Sequence, residues 1–271
     1  MLLYLHVTAA KHFVPVNMWS ISALSLISPW FSHLFLKDKL LLKSGGKRSG
    51  RSTTPSGRRT EVVKDCPAIK DLMERWPSLF SENQIKEEFK RLTTVHLEQT
   101  FLSSLDRFTP KLLAMFQKKG GTAGTKIRPM LDSLNEHHVD GRRDIIISCL
   151  VEYLGESGEE LIKDYKDVNQ EAAKEDCNEH LMKVAVIHPS VAQDNQDPVY
   201  VCVIIEGLEV LQDCKTVTNA CLLLMGVIYA VNLSYPQKLK YTFEAFQKLF
   251  LELDSLRMSA KVQSLHKKLL Q

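Results

Sequence analysis

The sequence predicts a mainly α-helical α+β fold: a multi-helix domain with a small antiparallel element of two or three strands late in the chain. Three observations predict it. Residues 220–231 form an unbroken apolar run, and leucine and phenylalanine recur at three- and four-residue steps across residues 239–253. Two short β-branched runs, at residues 181–187 and 199–205, interrupt this helical pattern. Steps of three and four residues are typical of one buried helix face, whereas short β-branched runs favour strands.

Composition and charge indicate an ordinary globular protein and argue against a nucleic-acid-binding domain. The 271 residues are enough to bury a large core, and their composition is that of an ordinary globular chain. Residues 1–60 hold nine Lys or Arg against one acid, whereas the remainder holds 26 basic and 31 acidic residues. Nucleic acid is therefore not an expected partner, because a nucleic-acid-binding domain carries its positive charge on the fold. The six dispersed cysteines indicate reduced thiols in an intracellular protein of the cytoplasm or nucleus.

The first part of the chain is predicted to lie outside the globular domain. Residues 1–43 form an apolar leader, either poorly ordered or membrane-associated, with no charged residue between His12 and Leu36. Because residues 12–36 carry no charge, a membrane segment and a targeting peptide both stay open. Prolines, serines and histidines interrupt the apolar residues there, which favours a poorly ordered leader. Residues 44–64 are rich in glycine, serine and basic side chains, which predicts a flexible basic linker.

A globular domain is predicted over residues 65–271, with a subdivision near residues 170–180 left open. Apolar spacing and cap signals predict successive helices in its first half. These helices start near Asp65, Ser81, Val95, Thr109, Ile127, Arg142 and Ser157. Ser81 and Ser157 are each followed three residues later by Gln or Glu, the capping-box pattern that satisfies free N–H groups of a first helical turn.

The second half is predicted to contain the strands and then the longest apolar segment. A polar loop at residues 189–198 separates two strands, and residues 207–211 add a third short strand or a turn. The run at residues 220–231 is predicted to be a core helix, because a membrane span needs about 20 apolar residues. The amphipathic helix that follows is expected to cover it, and Ser259 is expected to cap a last helix.

The glycine- and lysine-rich stretch at residues 118–129 invites comparison with a phosphate-binding loop. That motif needs Gly-Lys followed by Ser or Thr after a strand, whereas here Thr125 separates Gly124 from Lys126 and a helix precedes. A nucleotide-hydrolysing site is therefore rejected. What stays open is a solvated loop between helices or a weak anion contact. The residues of that contact are Lys118, Lys119, Lys126 and Arg128.

No catalytic, cofactor or metal site is predicted. Cys177 and His180 form only one tight pair, whereas a closed zinc site needs four ligands. Cys149 lies within an apolar stretch and is expected to be an inert core residue. Trp76 and Phe80 are candidate aromatic anchors for a protein partner, and the alternative is a packing cluster at the end of a helix.

Four stretches of the chain resemble a vertebrate protein family that is expanded in fish. They are WPSLFSENQIKEEFKRLTT (residues 76–94), GTKIRPMLDSL (124–134), CLVEYLGESGEELIKDY (149–165) and NLSYPQKLKYTFEAFQKLFLELD (232–254). The family is similar to the third sterile alpha motif domain-containing protein in the region beside that motif. The resemblance covers residues 65–270 and implies no catalytic residues. The motif itself, a small five-helix interaction module, has no counterpart in this chain.

The leading hypothesis is a non-enzymatic intracellular interaction or scaffold module with protein partners that the sequence does not identify. It rests on the lack of any polar cluster at catalytic spacing. Two alternatives stay open. One is an enzyme whose site assembles from distant residues, around residues 118–128 or 177–188. The other is a membrane-anchored protein that uses residues 12–36.

Overall fold

The computed structural model describes residues 55–166, 182–188 and 199–271. The helices before the sheet are α1 (Pro55–Asp65), α2 (Ile69–Arg75), α3 (Glu82–Thr93), α4 (Leu97–Gln117), α5 (Gly121–Asp132), α6 (Val139–Tyr153) and the one-turn α7 (Gly158–Leu161). The strands are β1 (Ile162–Tyr165), β2 (Met182–Ile187), β3 (Tyr200–Ile205) and β4 (Leu208–Leu211). After them come α8 (Val217–Ala230), α9 (Lys240–Ala245), a π-helical turn (Phe246–Phe250) and α10 (Ala260–Leu270). The predicted mainly helical α+β fold is confirmed.

The sheet has four strands in the order β1-β2-β3-β4. The three strands predicted from β-branched runs and from residues 207–211 are present, and their pairings are antiparallel. β1 was predicted to be helical and instead pairs parallel to β2, with Ile162 beside Val184. Its four residues follow a single helical turn and bury Tyr165. Pairing with a strand distant in sequence thus outweighs the local helical spacing.

Helix α8 forms the centre of the core, as predicted from the apolar run. Twelve of its residues are buried, and it packs against α3, α4, α6 and the strands β2 and β3. Gly226 allows the closest of these contacts, because a Cβ there would collide with the side chains of Ile85 and Leu97. Among the described residues, no helix combines the length and the apolarity that a membrane crossing requires.

The predicted aromatic stripe is buried, but its main contacts are with α4 and α10 and not with α8, and the segment that carries it is irregular. All six of its predicted members are buried: Leu239, Phe243, Phe246, Leu249, Phe250 and Leu253. The segment passes from α9 into the π-helical turn at residues 246–250. There Phe246 and Phe250 both pack edge-on against Phe101, at centroid distances of 5.4 and 5.2 Å. The wider turn lets two phenylalanines meet one ring of α4.

The predicted break at Thr109-Pro110 is wrong, because α4 continues through Pro110 to Gln117. Thr109 Oγ1 donates to the carbonyl of Leu105 at 2.9 Å. Phe101, Leu105, Phe108, Leu112 and Phe116 are buried on both sides of the proline. A proline inside a helix costs about 3 kcal/mol, and burial of this continuous apolar face compensates for that cost.

The predicted caps at the helix starts are only partly right. Ser81 and Ser157 hold the cap positions of α3 and α7, but neither side chain makes the capping hydrogen bond. Glu152 accepts from the Gly158 N–H at 2.9 Å instead. The first helix of the domain starts not at Asp65 but at Ile69, whose N–H donates to Glu206 Oε2 at 3.0 Å. Of the predicted serine caps, the side chain of Ser259 accepts as expected, from Val262 N.

The prediction of a flexible linker over residues 44–64 is wrong for its last part, which forms α1. Arg59 is 7% exposed, and its guanidinium donates to the carbonyl of Tyr229 at 2.8 Å. Arg58 Nη2 lies 3.0 Å from Glu88 Oε2. Sequence composition alone treats these arginines as solvated charges, whereas the fold provides an acceptor for each. The leader at residues 1–43, the rest of the linker and the proposed subdivision near residues 170–180 lie outside the described residues.

Candidate functional sites

The glycine- and lysine-rich stretch is mostly helical. Residues 118–120 separate α4 from α5, so the predicted loop ends at Gly120 and not at Pro129. Gly121 has a φ of +69°, and a Cβ at Gly124 would collide with the carbonyl of Lys119. These two glycines allow the chain to turn directly from one helix into the next.

Two of the four predicted anion contacts meet at the C-terminal end of α6. Lys126 Nζ lies 3.1 Å from Glu152 Oε1. Lys119 Nζ lies 5.0 Å from the centre of the Tyr153 ring. Lys118 and Arg128 are exposed, and in the described structure neither joins these contacts. The structure therefore brings together half of the predicted set.

Helix α10 adds lysines that the sequence interpretation missed. Lys268 Nζ lies 3.1 Å from Tyr153 Oη, and Lys261 Nζ donates to the carbonyl of Leu154 at 2.8 Å. Lys111 of α4 donates to the carbonyl of Leu269 at 2.8 Å. The basic last turn of α10 was a signal, but it predicted only favourable charge at that helix's own end. We call the following residues the lysine cluster, in which the exposed Lys267 is included only as the neighbour of Lys268 in the last turn of α10: Lys111, Lys119, Lys126, Lys261, Lys267 and Lys268.

A second feature is a cleft between α2, α3, β4 and α8, with a volume of about 400 Å³. Six of the ten described residues that line it are apolar, and two others, Glu82 and Glu209, carry carboxylates. The apolar residues are Met73, Pro77, Phe80, Val210, Leu211 and Leu223. Gln212 is an exposed lining residue. We call this feature the cleft.

The charges around the cleft are negative in balance. Glu82 accepts from Lys86 at 2.5 Å, but the same ammonium also pairs with Glu98 at 2.6 Å. Burial lowers the pKa of Lys86, and hydrogen bonds to the two glutamates outweigh that effect and raise it. Burial, and then the charges of Glu82, Asp213 and Glu209, raise the pKa of Cys214 to about 12. Cys214 is therefore a neutral thiol and not a nucleophile.

The two candidate aromatic anchors are in different positions. Phe80 lines the cleft. Trp76 is partly buried against the core, and the guanidinium of Arg75 lies 5.4 Å from its ring centre. Phe80 therefore borders an open cleft, whereas Trp76 packs against the core, which is the alternative given for the pair.

In the part of the chain that the structure describes, the residues considered for catalysis and metal binding do not come together in one site. Cys149 is fully buried, and burial with the charge of Glu152 raises its pKa to about 12, as a core thiol requires. Cys177 and His180 lie outside the described residues. His188 Nε2 lies 2.6 Å from Asp164 Oδ1 at the edge of the sheet. Within residues 55–166, 182–188 and 199–271, no group of three or more His, Cys, Asp or Glu is arranged to hold a metal ion.

The chain matches no protein-family model, and no curated protein or solved structure is detectably similar to it. The resemblance to the family beside the sterile alpha motif therefore stays a prediction.

Proposed function

We propose that this protein is a non-enzymatic interaction module whose cleft binds a partner segment carrying an apolar side chain next to Lys or Arg. One observation carries the proposal: the cleft joins an apolar wall to the carboxylates of Glu82 and Glu209. Ligand sites commonly combine apolar surface for affinity with a few polar groups for orientation.

The shape of the cleft supports binding of an apolar side chain. A volume of about 400 Å³ is enough for one or two large side chains and their backbone. Phe80 ends the short 3-10 helix Pro77–Phe80 between α2 and α3, and Leu223 is a buried residue of α8, so the wall is held by the packed core. Full burial of a leucine or phenylalanine contributes about 2 kcal/mol, which is enough for selective but modest binding.

The charges support a basic neighbour on the partner. Glu82 shares one ammonium with Glu98, so the carboxylates there outnumber their partner. Glu209 accepts from the Tyr200 hydroxyl, which fixes the position of its carboxylate at the cleft. A Lys or Arg on the partner would meet both groups, and such complementarity favours the correct register of binding.

The test is selection of phage-displayed random short peptides for binding to the full-length protein. The Gln212→Trp variant places an indole at the mouth of the cleft from an exposed position, and Gln212→Ala is the matched control. We expect enriched peptides to contain Leu, Ile, Met or Phe adjacent to Lys or Arg, and to lose about tenfold in affinity with Gln212→Trp only. Enriched peptides without this pair, or equal binding to both variants, contradict the proposal.

A thermodynamic cycle tests the role of charge separately. Glu82→Gln with Glu209→Gln should weaken an enriched peptide about tenfold. The same double variant should leave the affinity of the peptide's own Lys→Gln form nearly unchanged. Equal losses for both peptides would show that the carboxylates act through structure and not through the partner's charge.

A further inference from the structure

The lysine cluster carries more positive charge than the helix ends beside it require, and we propose that it docks the protein on an anionic membrane surface. This inference is independent of the cleft. It also differs from anchoring through residues 12–36, because it uses the folded domain.

The first step is the balance of charge. Among the described residues, the contacts of the six lysines include one carboxylate, that of Glu152, which is 7% exposed. Lys111 and Lys261 each donate to a backbone carbonyl at the end of a helix. The ammonium groups of Lys111 and Lys261 thus satisfy backbone carbonyls that carry the partial negative charge of a helix end. The charges of Lys119, Lys267 and Lys268 are left to face solvent.

The second step is the position of these lysines. Lys261 and Lys268 are seven residues apart on α10, and therefore lie on one face of it. Lys119 and Lys268 both contact the ring of Tyr153, at 5.0 and 5.8 Å from its centre. Residues far apart in sequence thus present their ammonium groups around one point of the surface.

The third step separates a lipid surface from a nucleic acid. Single-stranded nucleic acids stack their bases on free aromatic rings. The Tyr153 ring has two ammonium groups against it and packs on Phe116 at a centroid distance of 5.6 Å, so it is not a stacking platform. Leu270 lies three residues after Lys267 on the same side of α10 and is 66% exposed. An exposed leucine beside lysines is typical of membrane-surface contacts.

The charge of the whole domain supports a defined orientation. Residues 61–271 hold 26 basic and 31 acidic residues, so the lysine cluster is a positive region on a mildly acidic body. An anionic surface attracts the first and repels the second. The domain would approach with the end of α10 towards the lipid.

The experiment is sedimentation of the full-length protein with phosphatidylcholine vesicles, with and without phosphatidylserine. The variant Lys119→Gln/Lys267→Gln/Lys268→Gln removes three charges of the cluster. Its matched control, Lys64→Gln/Lys70→Gln/Lys90→Gln, removes three exposed charges from α1, α2 and α3. Each lysine near an anionic surface contributes about 1 kcal/mol, so the cluster variant should lose about 100-fold in partitioning at low salt. The control should stay within about threefold of the wild type.

A local probe isolates this surface from any contribution of residues 1–54. An environment-sensitive fluorophore is attached at Leu270→Cys in a Cys66→Ser protein, and the same protein with Leu270 in place gives the background. We expect phosphatidylserine vesicles to shift the emission to the blue, and the three cluster substitutions to abolish the shift. An unchanged emission, or an equal response to duplex DNA or to a soluble acidic peptide, overturns the inference.

Discussion

The C-terminal ends of α8 and α6 attract positive charge in different ways. At α8, one buried guanidinium, that of Arg59, donates to the carbonyls of Tyr229 and Ala230 at 2.8 and 3.5 Å. At α6, four lysines gather around residues 152–154, and most of their charge stays in solvent. Buried charge-assisted hydrogen bonds contribute to stability, whereas exposed ion pairs contribute little. The difference teaches that Arg59 belongs to the core, while the lysines lie at the surface, where Lys126 pairs with Glu152, Lys261 donates to the Leu154 carbonyl, and Lys119 and Lys268 lie against the Tyr153 ring.

The N-terminal end of α8 also receives a charged side chain from another helix, here one with a negative charge. Asp144 of α6 accepts from the N–H groups of Val217 and Thr218 at 3.2 and 2.7 Å, and from the Thr218 hydroxyl at 2.6 Å. Thr216 caps the next free group, the N–H of Asn219. Helix α8 has almost no polar side chains of its own. It therefore depends on α1 and α6 to satisfy its two ends.

The largest expected effect is from Asp144→Ala. The change leaves three buried donors without their acceptor, and we expect a loss of about 3 kcal/mol in the free energy of unfolding by urea. Asp144→Asn is the control, because its carbonyl oxygen still accepts one bond, and it should lose about half as much. A loss below about 1 kcal/mol for the alanine variant would contradict the assigned capping role.

Arg59→Met should be the next most disruptive substitution. It keeps the apolar stem but leaves the last carbonyls of α8 without a donor, so we expect a loss of about 2 kcal/mol in urea unfolding. Asn232→Gly removes the 3.4 Å contact of Arg59 Nη2, allows the φ of 57° at this position, and should cost less than half of that. Equal stability of wild type and Arg59→Met would show that this guanidinium does not stabilise the end of α8.

A smaller effect is expected from pH at Glu88, which pairs with Arg58 and Arg91. Burial raises the pKa of Glu88, but the hydrogen bonds and charges of Arg91 and Arg58 outweigh it, so the pKa lies below its ordinary value of 4.5. The ionised carboxylate therefore adds stability above pH 4.5 that is lost as the pH falls through the folded-state pKa.

Comparison of melting temperature against pH for wild type and Glu88→Gln isolates this contribution. We expect the wild type to lose its advantage over the variant as the pH falls below 4.5. A difference between the two that stays constant across this range would mean that the ion pairs do not stabilise the fold.

The smallest expected effect is from Lys119→Gln with Lys268→Gln. Their contacts are exposed, so the free energy of unfolding should change by less than about 0.5 kcal/mol. The measurement is urea unfolding beside the Arg59→Met variant. A loss as large as that of Arg59→Met would show that the lysines at the end of α6 stabilise the fold as much as Arg59 does at the end of α8.

Local patterns in the sequence predicted the parts of this fold that depend on local burial. The apolar run of α8, the aromatic stripe of residues 239–253 and strands β2 and β3 all follow from period and residue type. Phe80 lines the cleft, and two of the four lysines and arginines proposed for an anion contact come together; their roles as a partner anchor and as anion contacts stay predictions.

Contacts between distant residues could not be predicted in the same way. Five helix starts take a carboxylate from outside the helix, which no local capping pattern indicates: Ile69 from Glu206, Gly158 from Glu152, Val217 from Asp144, Tyr241 from Glu156 and Ser259 from Glu244. Strand β1 depends on β2, and the lysine cluster depends on how α10 packs against α6. Prediction of each of these contacts requires the tertiary structure, because the spacing of residues along the chain does not show which distant segments meet.

The most direct test of the interaction proposal is a methyl NMR titration with acetyl-leucyl-lysine amide, with acetyl-leucyl-glutamate amide as the control. Binding in the cleft predicts shifts at the methyl groups of Met73, Val210, Leu211 and Leu223 with the lysine compound, weaker shifts with the glutamate compound, and none with Gln212→Trp. Cleft methyl groups that do not respond, or that respond equally to both compounds, would contradict the proposal that this cleft recognises a basic, apolar partner.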